Sequence, residues 1–262
     1  MKKNGLIILL LVIAHITIAQ TTGPWNNKRC AVVLTYDDAI DQHLDHAIPV
    51  LDSLDLKATF YITAFSPGCS GRIADWKKVG SHGHELANHT LYHPCVGGKG
   101  REWVQPHNDM NNYTVKRMED EIRMTNVFLE SLDGKKKRTF AFTCGDMKIH
   151  DTPFIDNLKK DFVAARAVRA QMHSLSEVDL YNVDCYMVNG ETGAQLIAWA
   201  EQARKSGALL VILFHGVGGG NALNVSLAAH REFLHYLAKN EKDIWVAPML
   251  DVADYINAKR EQ

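Results

Sequence analysis

Short apolar runs recur along this chain, and helical patterns separate them. Cys30–Tyr36, Ala58–Thr63, Glu85–Asn88, Thr139–Thr143, Phe162–Val168, Leu209–Phe214 and Ile244–Ala247 read as strands, and Leu180–Val188 as an irregular strand region. Helical patterns cover Asp41–Leu54 (with a kink at Pro49), Ala74–Val79, Thr114–Leu132, Thr152–Lys160, Gly193–Ser206, Val225–Asn240 and Leu250–Lys259. In Thr114–Leu132 the residues Val115, Met118, Ile122, Val127 and Leu129 are placed to form a buried face. A strand that is apolar without alternation must be covered on both sides, which is the situation in a parallel sheet flanked by helices. About seven strand–helix units, with no repeat and no linker, predict one α/β domain over Thr21–Gln262, built as a (β/α) barrel.

The first 19 residues stand apart. Lys2 and Lys3 precede an apolar run from Leu6 to Ile18, and Thr17 and Ala19 supply small residues at its end. That is the pattern of a cleaved secretory signal, with an uncleaved anchor as the alternative. Export places the mature chain in the periplasm or medium, with no membrane contact after cleavage. It also puts Cys30, Cys69, Cys95, Cys144 and Cys185 in an oxidising compartment; their odd number leaves at least one unpaired, and their spacing fixes no pairing. The net charge of −1 gives no reason to expect nucleic acid as a partner. Oligomeric state is not legible.

In a barrel of parallel strands, chemistry sits where the strands end. Those ends hold Asp37 and Asp38, then His89 and His93, then Cys144-Gly145-Asp146, then His215. Asp37-Asp38 reads either as a helix N-cap pair or as a metal ligand beside a free carboxylate base. His89 and His93 face the same side if HTLYH makes one helical turn. A carboxylate then completes a set of two histidines and one carboxylate open to water; Asp38 is the candidate. His215, after the very apolar LLVILF, can donate a proton near neutral pH or can cap the next turn. The glycines at 216 and 218–220 lack the Lys and Ser/Thr of a phosphate-binding loop, which excludes nucleotide binding by that loop.

TYDDA at 35–39, HTLYH at 89–93, FAFTCG at 140–145 and LFHG at 213–216, in that order, resemble the motifs of polysaccharide deacetylases of the NodB-homology class, carbohydrate esterase family 4. The resemblance runs from about Cys30 to Leu250. It implies a distorted (β/α)7 barrel that removes acetyl groups from N- or O-acetylated sugars with a divalent metal. It further implies that Asp37 is the general base, that Asp38, His89 and His93 bind the metal, and that His215 is the general acid. The backbone N–H of Cys144 would assist the oxyanion, and Leu213 would line the acetyl pocket. Zinc suits the donor set, with cobalt, nickel and manganese open. The partner is then an acetylated glycan, with an N-acetylglucosamine polymer preferred over acetylated xylan.

Two departures bear on activity. Ala141 stands where the family often carries an arginine that orients the catalytic carboxylate, and Arg166 on the next strand is the candidate replacement. Cys144 stands where an aromatic is common and reads as a small apolar filler. A carbohydrate-binding protein without turnover is therefore the rival reading. Trp103 is the expected sugar-stacking face. Tyr92, Tyr113 and Trp199 are weaker candidates, His82, His84 and His107 read as loop or surface histidines, and Asp146 and Asp151 as rim residues.

Overall fold

The computed structural model describes residues 23–262, so the predicted signal segment lies outside the described residues. Eight strands form one parallel sheet: β1 (Cys30–Asp37), β2 (Thr59–Ile62), β3 (Glu85–Asn88), β4 (Thr139–Ala141), β5 (Ala164–Arg166), β6 (Tyr186–Met187), β7 (Leu209–Phe214) and β8 (Ile244–Val246). The longer helices are α1 (Ile48–Ser53), α2 (Ile73–Ser81), α3 (Val115–Asp133), α4 (Gly193–Ser206), α5 (Leu227–Lys239) and α6 (Met249–Arg260). The strand order is β5-β4-β3-β2-β1-β7-β6. β1 is the axis. It pairs with β7 from Ala31 to Tyr36, while its other edge is split, β8 taking Cys30–Val32 and β2 taking Thr35–Asp37.

The open ends of this order meet. Val183, just before β6, makes a parallel bridge with Arg166 of β5, and Ala167 N–H donates to Val183 O at 2.8 Å. Seven strands thus curl into a distorted (β/α)7 barrel, with β8 pairing the start of β1 on the edge that β2 takes further along.

All eight residues of β1 are buried. Successive side chains on a strand point to opposite faces, so Val32, Leu34 and Tyr36 pack outward under α4 and α5, through Leu196, Phe233 and Leu237. Ala31 and Val33 point the other way, toward Val211, Leu213 and Cys185. Near the base of the barrel, buried Glu85 accepts from Thr59 Oγ1 (2.8 Å), Thr139 Oγ1 (2.7 Å) and the Thr139 N–H (3.1 Å). It also accepts from the Leu250 N–H at 3.0 Å, in the first turn of α6. Burial raises the carboxyl of Glu85 above its usual range against those four hydrogen bonds.

Several expectations are corrected. Val127 is 59% exposed, because the buried stripe of α3 runs Met118, Ile122, Thr125, Leu129, Leu132; five residues past Ile122 lies well off that face. Thr152–Lys160 is not a full helix but a small antiparallel ribbon and one 3-10 stretch, Phe154–Leu158. Phe162–Val168 shortens to the three residues of β5. His84 is buried rather than on the surface; its Nε2 meets Asp52 and its Nδ1 accepts from Ala58 N–H. Among the described residues no helix is long and apolar enough to cross a membrane.

Candidate active site

β1, β3 and β7 deliver side chains to a cleft of about 860 Å³ at the C-terminal end of the barrel, whose lining includes Asp37, Asp38, His89, His93, Cys144, Leu213, His215 and Trp103. Asp37 is the last residue of β1, and Asp38 follows with φ 81°, a left-handed conformation that turns its carboxylate to the same side. Neither carboxylate caps the next helical stretch, whose start has no side-chain cap. The N-cap alternative is therefore not realised.

His89 and His93 converge without a helical turn. Left-handed residues at Thr90 (φ 65°) and His93 (φ 55°) fold the segment back, and the Thr90 hydroxyl accepts the His93 N–H at 2.9 Å. Asn88 holds the start of the loop: its Oδ1 accepts the Thr90 N–H while its amide donates to Ile122 O and Asn126 of α3. His89 Nδ1 lies 2.9 Å from the Ala141 carbonyl, which can only accept. The proton therefore sits on Nδ1, and Nε2 offers its lone pair inward.

One ligand atom each from Asp38, His89 and His93 lie within 4.8 Å of one another. His93 Nε2 is 3.2 Å and His89 Nε2 3.6 Å from the buried Asp38 Oδ1. Two imidazole nitrogens and a carboxylate oxygen aimed at one point need a proton or a cation between them, and a divalent cation fits this set of two nitrogens and one oxygen. Burial pushes the His89 imidazole down to about 4, so it stays neutral, as a ligand must. Burial alone would raise the Asp38 carboxyl, but the hydrogen bond and charge of His93, with His89 and His215, hold it well below the carboxylate range. Asn221, on the loop after β7, adds a 3.4 Å contact from its amide to Asp38 Oδ2.

Arg166 reaches Asp37. Its guanidinium is fully buried and donates to Asp37 Oδ2, while also donating to Ala167 O at 3.0 Å and lying 5.0 Å over the Tyr61 ring. Asp37 Oδ1 has no hydrogen-bond partner among the described residues. His215 lies across the cleft; its Nδ1 has no partner among the described residues, and its backbone carbonyl takes His43 Nε2 at 2.7 Å. Its ring does not cap the next turn.

Cys144 is not an apolar filler. It forms a disulfide with Cys95, tying the loop after His93 to the end of β4; Cys30, Cys69 and Cys185 are free and buried. A sequence separation of 49 residues gave no hint of this pair. Trp103 is 60% exposed at the cleft mouth. Tyr113 is buried and Trp199 packs on Tyr186, whereas Tyr92 is exposed beside Phe65. Asp146 anchors the Trp103 loop by accepting from Arg101 and from the Val96 N–H. The sequence pattern did not single out Asn221, Arg101, Phe142, Val168 and Met187 of the lining; Arg101 and Asn221 come in on loops, and Phe142, Val168 and Met187 lie in or just after strands whose inward face only barrel closure defines.

A parallel barrel with a histidine–carboxylate cleft at its C-terminal end narrows the class, and comparison with known proteins makes it specific. The family model described as Polysaccharide deacetylase matches residues 26–160, and the chain belongs to that family. A protein of Mycobacterium smegmatis assigned to the polysaccharide deacetylases superposes with a TM-score of 0.63 at 15% identity, over 89% of this chain and 92% of that one. The peptidoglycan deacetylase PdaC of Bacillus subtilis superposes with a TM-score of 0.54 at 14% identity, over 90% and 94%. A mutant of BA3943, described as a family pseudoenzyme with restored activity, gives 0.51 at 16% identity, over 87% and 69%. In sequence, the Bacillus subtilis protein YlxY is 27% identical over 108 residues, 41% of this chain; the chain spans only 29% of that relative's length.

Proposed function

We propose that this chain is an exported metal-dependent hydrolase that removes acetyl groups from an N-acetylglucosamine-containing glycan, such as a chitooligosaccharide or peptidoglycan. The observation that carries the reading is the convergence of Asp38, His89 and His93 on one point beside an Asp37 held by a buried arginine.

Asp38, His89 and His93 would hold the cation, with zinc the best match to two imidazoles and a carboxylate. When bound there, the cation supplies Lewis acidity to the acetyl carbonyl and acidifies water. Asp37 takes the proton of the attacking water through Oδ1, while Arg166 fixes Oδ2 and so sets the direction of that lone pair. The Cys144 backbone N–H faces the developing oxyanion, and Leu213 packs against the acetyl methyl. His215 gives a proton to the departing amine. Trp103 offers an apolar face to the sugar.

Loss of turnover, the rival reading, rested on Ala141. The Arg166–Asp37 pair weighs against it, because the carboxylate is oriented without an arginine at 141. The test is acetate release from acetylated chitooligosaccharides, peptidoglycan and xylan, with and without chelator, repeated with Asp37→Asn. Release that a chelator stops, and that Asp37→Asn abolishes with metal still bound, is expected. Full activity in the variant, or no release from any glycan with metal loaded, rejects the reading. Release from xylan alone moves the substrate to an O-acetyl ester.

A further inference from the structure

Behind the cation set lies a second group of metal-binding atoms that the oxidised chain keeps locked. His93, Cys95 and Cys144 bring one ligand atom each within 4.8 Å of one another, yet the two sulfurs are spent in a disulfide. Both facts hold in the same oxidised structure, where the three ligand atoms are already close while the sulfurs are bonded to each other. We propose that reduction of Cys95–Cys144 opens a thiolate–imidazole site for a soft divalent cation, made of Cys95 Sγ, Cys144 Sγ and His93 Nδ1.

The distances favour it. A tetrahedral zinc with Zn–S near 2.3 Å and Zn–N near 2.05 Å has a sulfur–nitrogen edge of about 3.6 Å, and Cys95 Sγ already stands 3.5 Å from His93 Nδ1. The two thiolates must open to about 3.8 Å, which side-chain rotation reaches from Cα atoms 5.8 Å apart. The only side chain that His93 Nδ1 meets among the described residues is that of Cys95, through its sulfur, whereas a metal-bound histidine usually fixes its second nitrogen on a carbonyl or carboxylate. Cys144 lines the cleft and is partly exposed, so a reductant and then a cation can approach it. Cys95 is buried, which keeps the site dry on its inner side.

The chemistry balances with a reductant of the dithiol or phosphine class. A dithiol breaks the S–S bond, becomes a disulfide itself and leaves two S–H groups, whose protons the cation then displaces. The ring of His93 is common to this site and to the Asp38 set, which takes its Nε2. Disulfide formation therefore reserves His93 for the Asp38 set, and reduction offers it a competing sulfur-rich site.

The inference rests on the proposed function only for the use of Nε2, and its test does not read acetate release. The protein is reduced with a phosphine, freed of it, and titrated with Co2+. The expected result is an intense near-ultraviolet thiolate-to-cobalt absorption that saturates at one equivalent, is absent from the oxidised protein, is lost in Cys95→Ser and Cys144→Ser, and persists in Asp38→Ala. Far-ultraviolet dichroism should be unchanged on reduction. Opening of the disulfide, counted as two new thiols, without that band overturns the proposal. So does a disulfide that the phosphine does not open in the folded protein, or a fold that does not survive the opening. A missing band beside normal chelator-sensitive deacetylation defeats this inference alone; a normal band without deacetylation defeats only the function reading.

Discussion

Arg166 and Ala141 are register partners on adjacent parallel strands, β5 and β4. The arginine that touches Asp37 thus stands one strand over from the position where the family's sequence pattern leads one to look for it, at the same height in the barrel. Because side chains at one level of a small barrel share the interior, a long residue can replace its neighbour across a strand. Arg166→Met should leave KM close to that of the parent and lower kcat by about 100-fold, since the buried carboxylate loses its orientation. The same change leaves Asp37 as an unpaired buried charge and should cost about 3–5 kcal/mol of stability. Steady-state kinetics beside urea unfolding separates the two effects. An unchanged kcat would remove Arg166 from the catalytic machinery, and partial recovery in Arg166→Ala/Ala141→Arg would show that the height, not the strand, matters.

Asn221 touches Asp38 from outside the cation set. An outer hydrogen bond of that kind holds a ligand's orientation, and losing it commonly costs about 10- to 100-fold in metal affinity. Asn221→Ala should weaken Zn2+ binding by that factor in a calorimetric titration while the fold stays intact. Saturating zinc should then restore most of the acetate release. Wild-type affinity in the variant would mean that the 3.4 Å contact has no energetic role.

Trp103 is the large aromatic most exposed at the mouth of the cleft, on a loop that Arg101 and Asp146 pin in place. Stacking on a sugar face would be made equally in ground and transition states, so its loss belongs in KM. Trp103→Ala should raise KM for a chitooligosaccharide about 2- to 10-fold with kcat unchanged. Unaltered KM on every chain length tried would show that the ring does not meet the glycan.

The parts of the fold that show in the sequence are those set locally. β7 and α4 have the predicted bounds, because an apolar run and a Thr192–Gln195 capping box define them without help from the rest of the chain; β3 has them too, although its polar ends are held by distant segments. The cluster of ionisable residues at strand ends was legible for the same reason: a buried strand that stops at a polar residue announces where water begins. What was not legible depends on closure. The Cys95–Cys144 bridge, the Val183 contact that joins the barrel edges, and the burial of His84 against Asp52 all arise between segments whose proximity no local pattern encodes. The left-handed turn at Thr90 and His93 was not legible either, because a β-branched Thr rarely takes φ > 0 and one His is a weak signal for it. It brings the two histidines together by a different route from the helical turn that their spacing suggested.

His230 supplies a prediction away from the cation set. Its Nε2 lies 2.8 Å from Tyr36 Oη, and its ring packs against Tyr36 and Phe214; the His43 ring packs on the same Tyr36, and Arg231 is the next residue on α5. Burial raises the Tyr36 phenol far above its ordinary range, so it keeps its proton and donates it to a neutral imidazole. Burial pushes His230 down to about 3, helped by the charges of His43 and Arg231. The folded value is below the unfolded one, near 6.5. Above pH 6.5 neither state binds this proton and the pair contributes nothing to pH dependence. As pH falls from 6.5 to about 3 the unfolded chain takes up a proton that the folded chain refuses, so stability declines by about 1.4 kcal/mol per pH unit, or about 2 kcal/mol by pH 5. His230→Gln retains an acceptor for Tyr36 and does not titrate. The stability difference between variant and parent, measured by urea unfolding, should shift toward the variant by about 2 kcal/mol between pH 7 and pH 5. Parallel curves over that interval would mean that His230 accepts a proton in the folded protein as readily as in the unfolded chain.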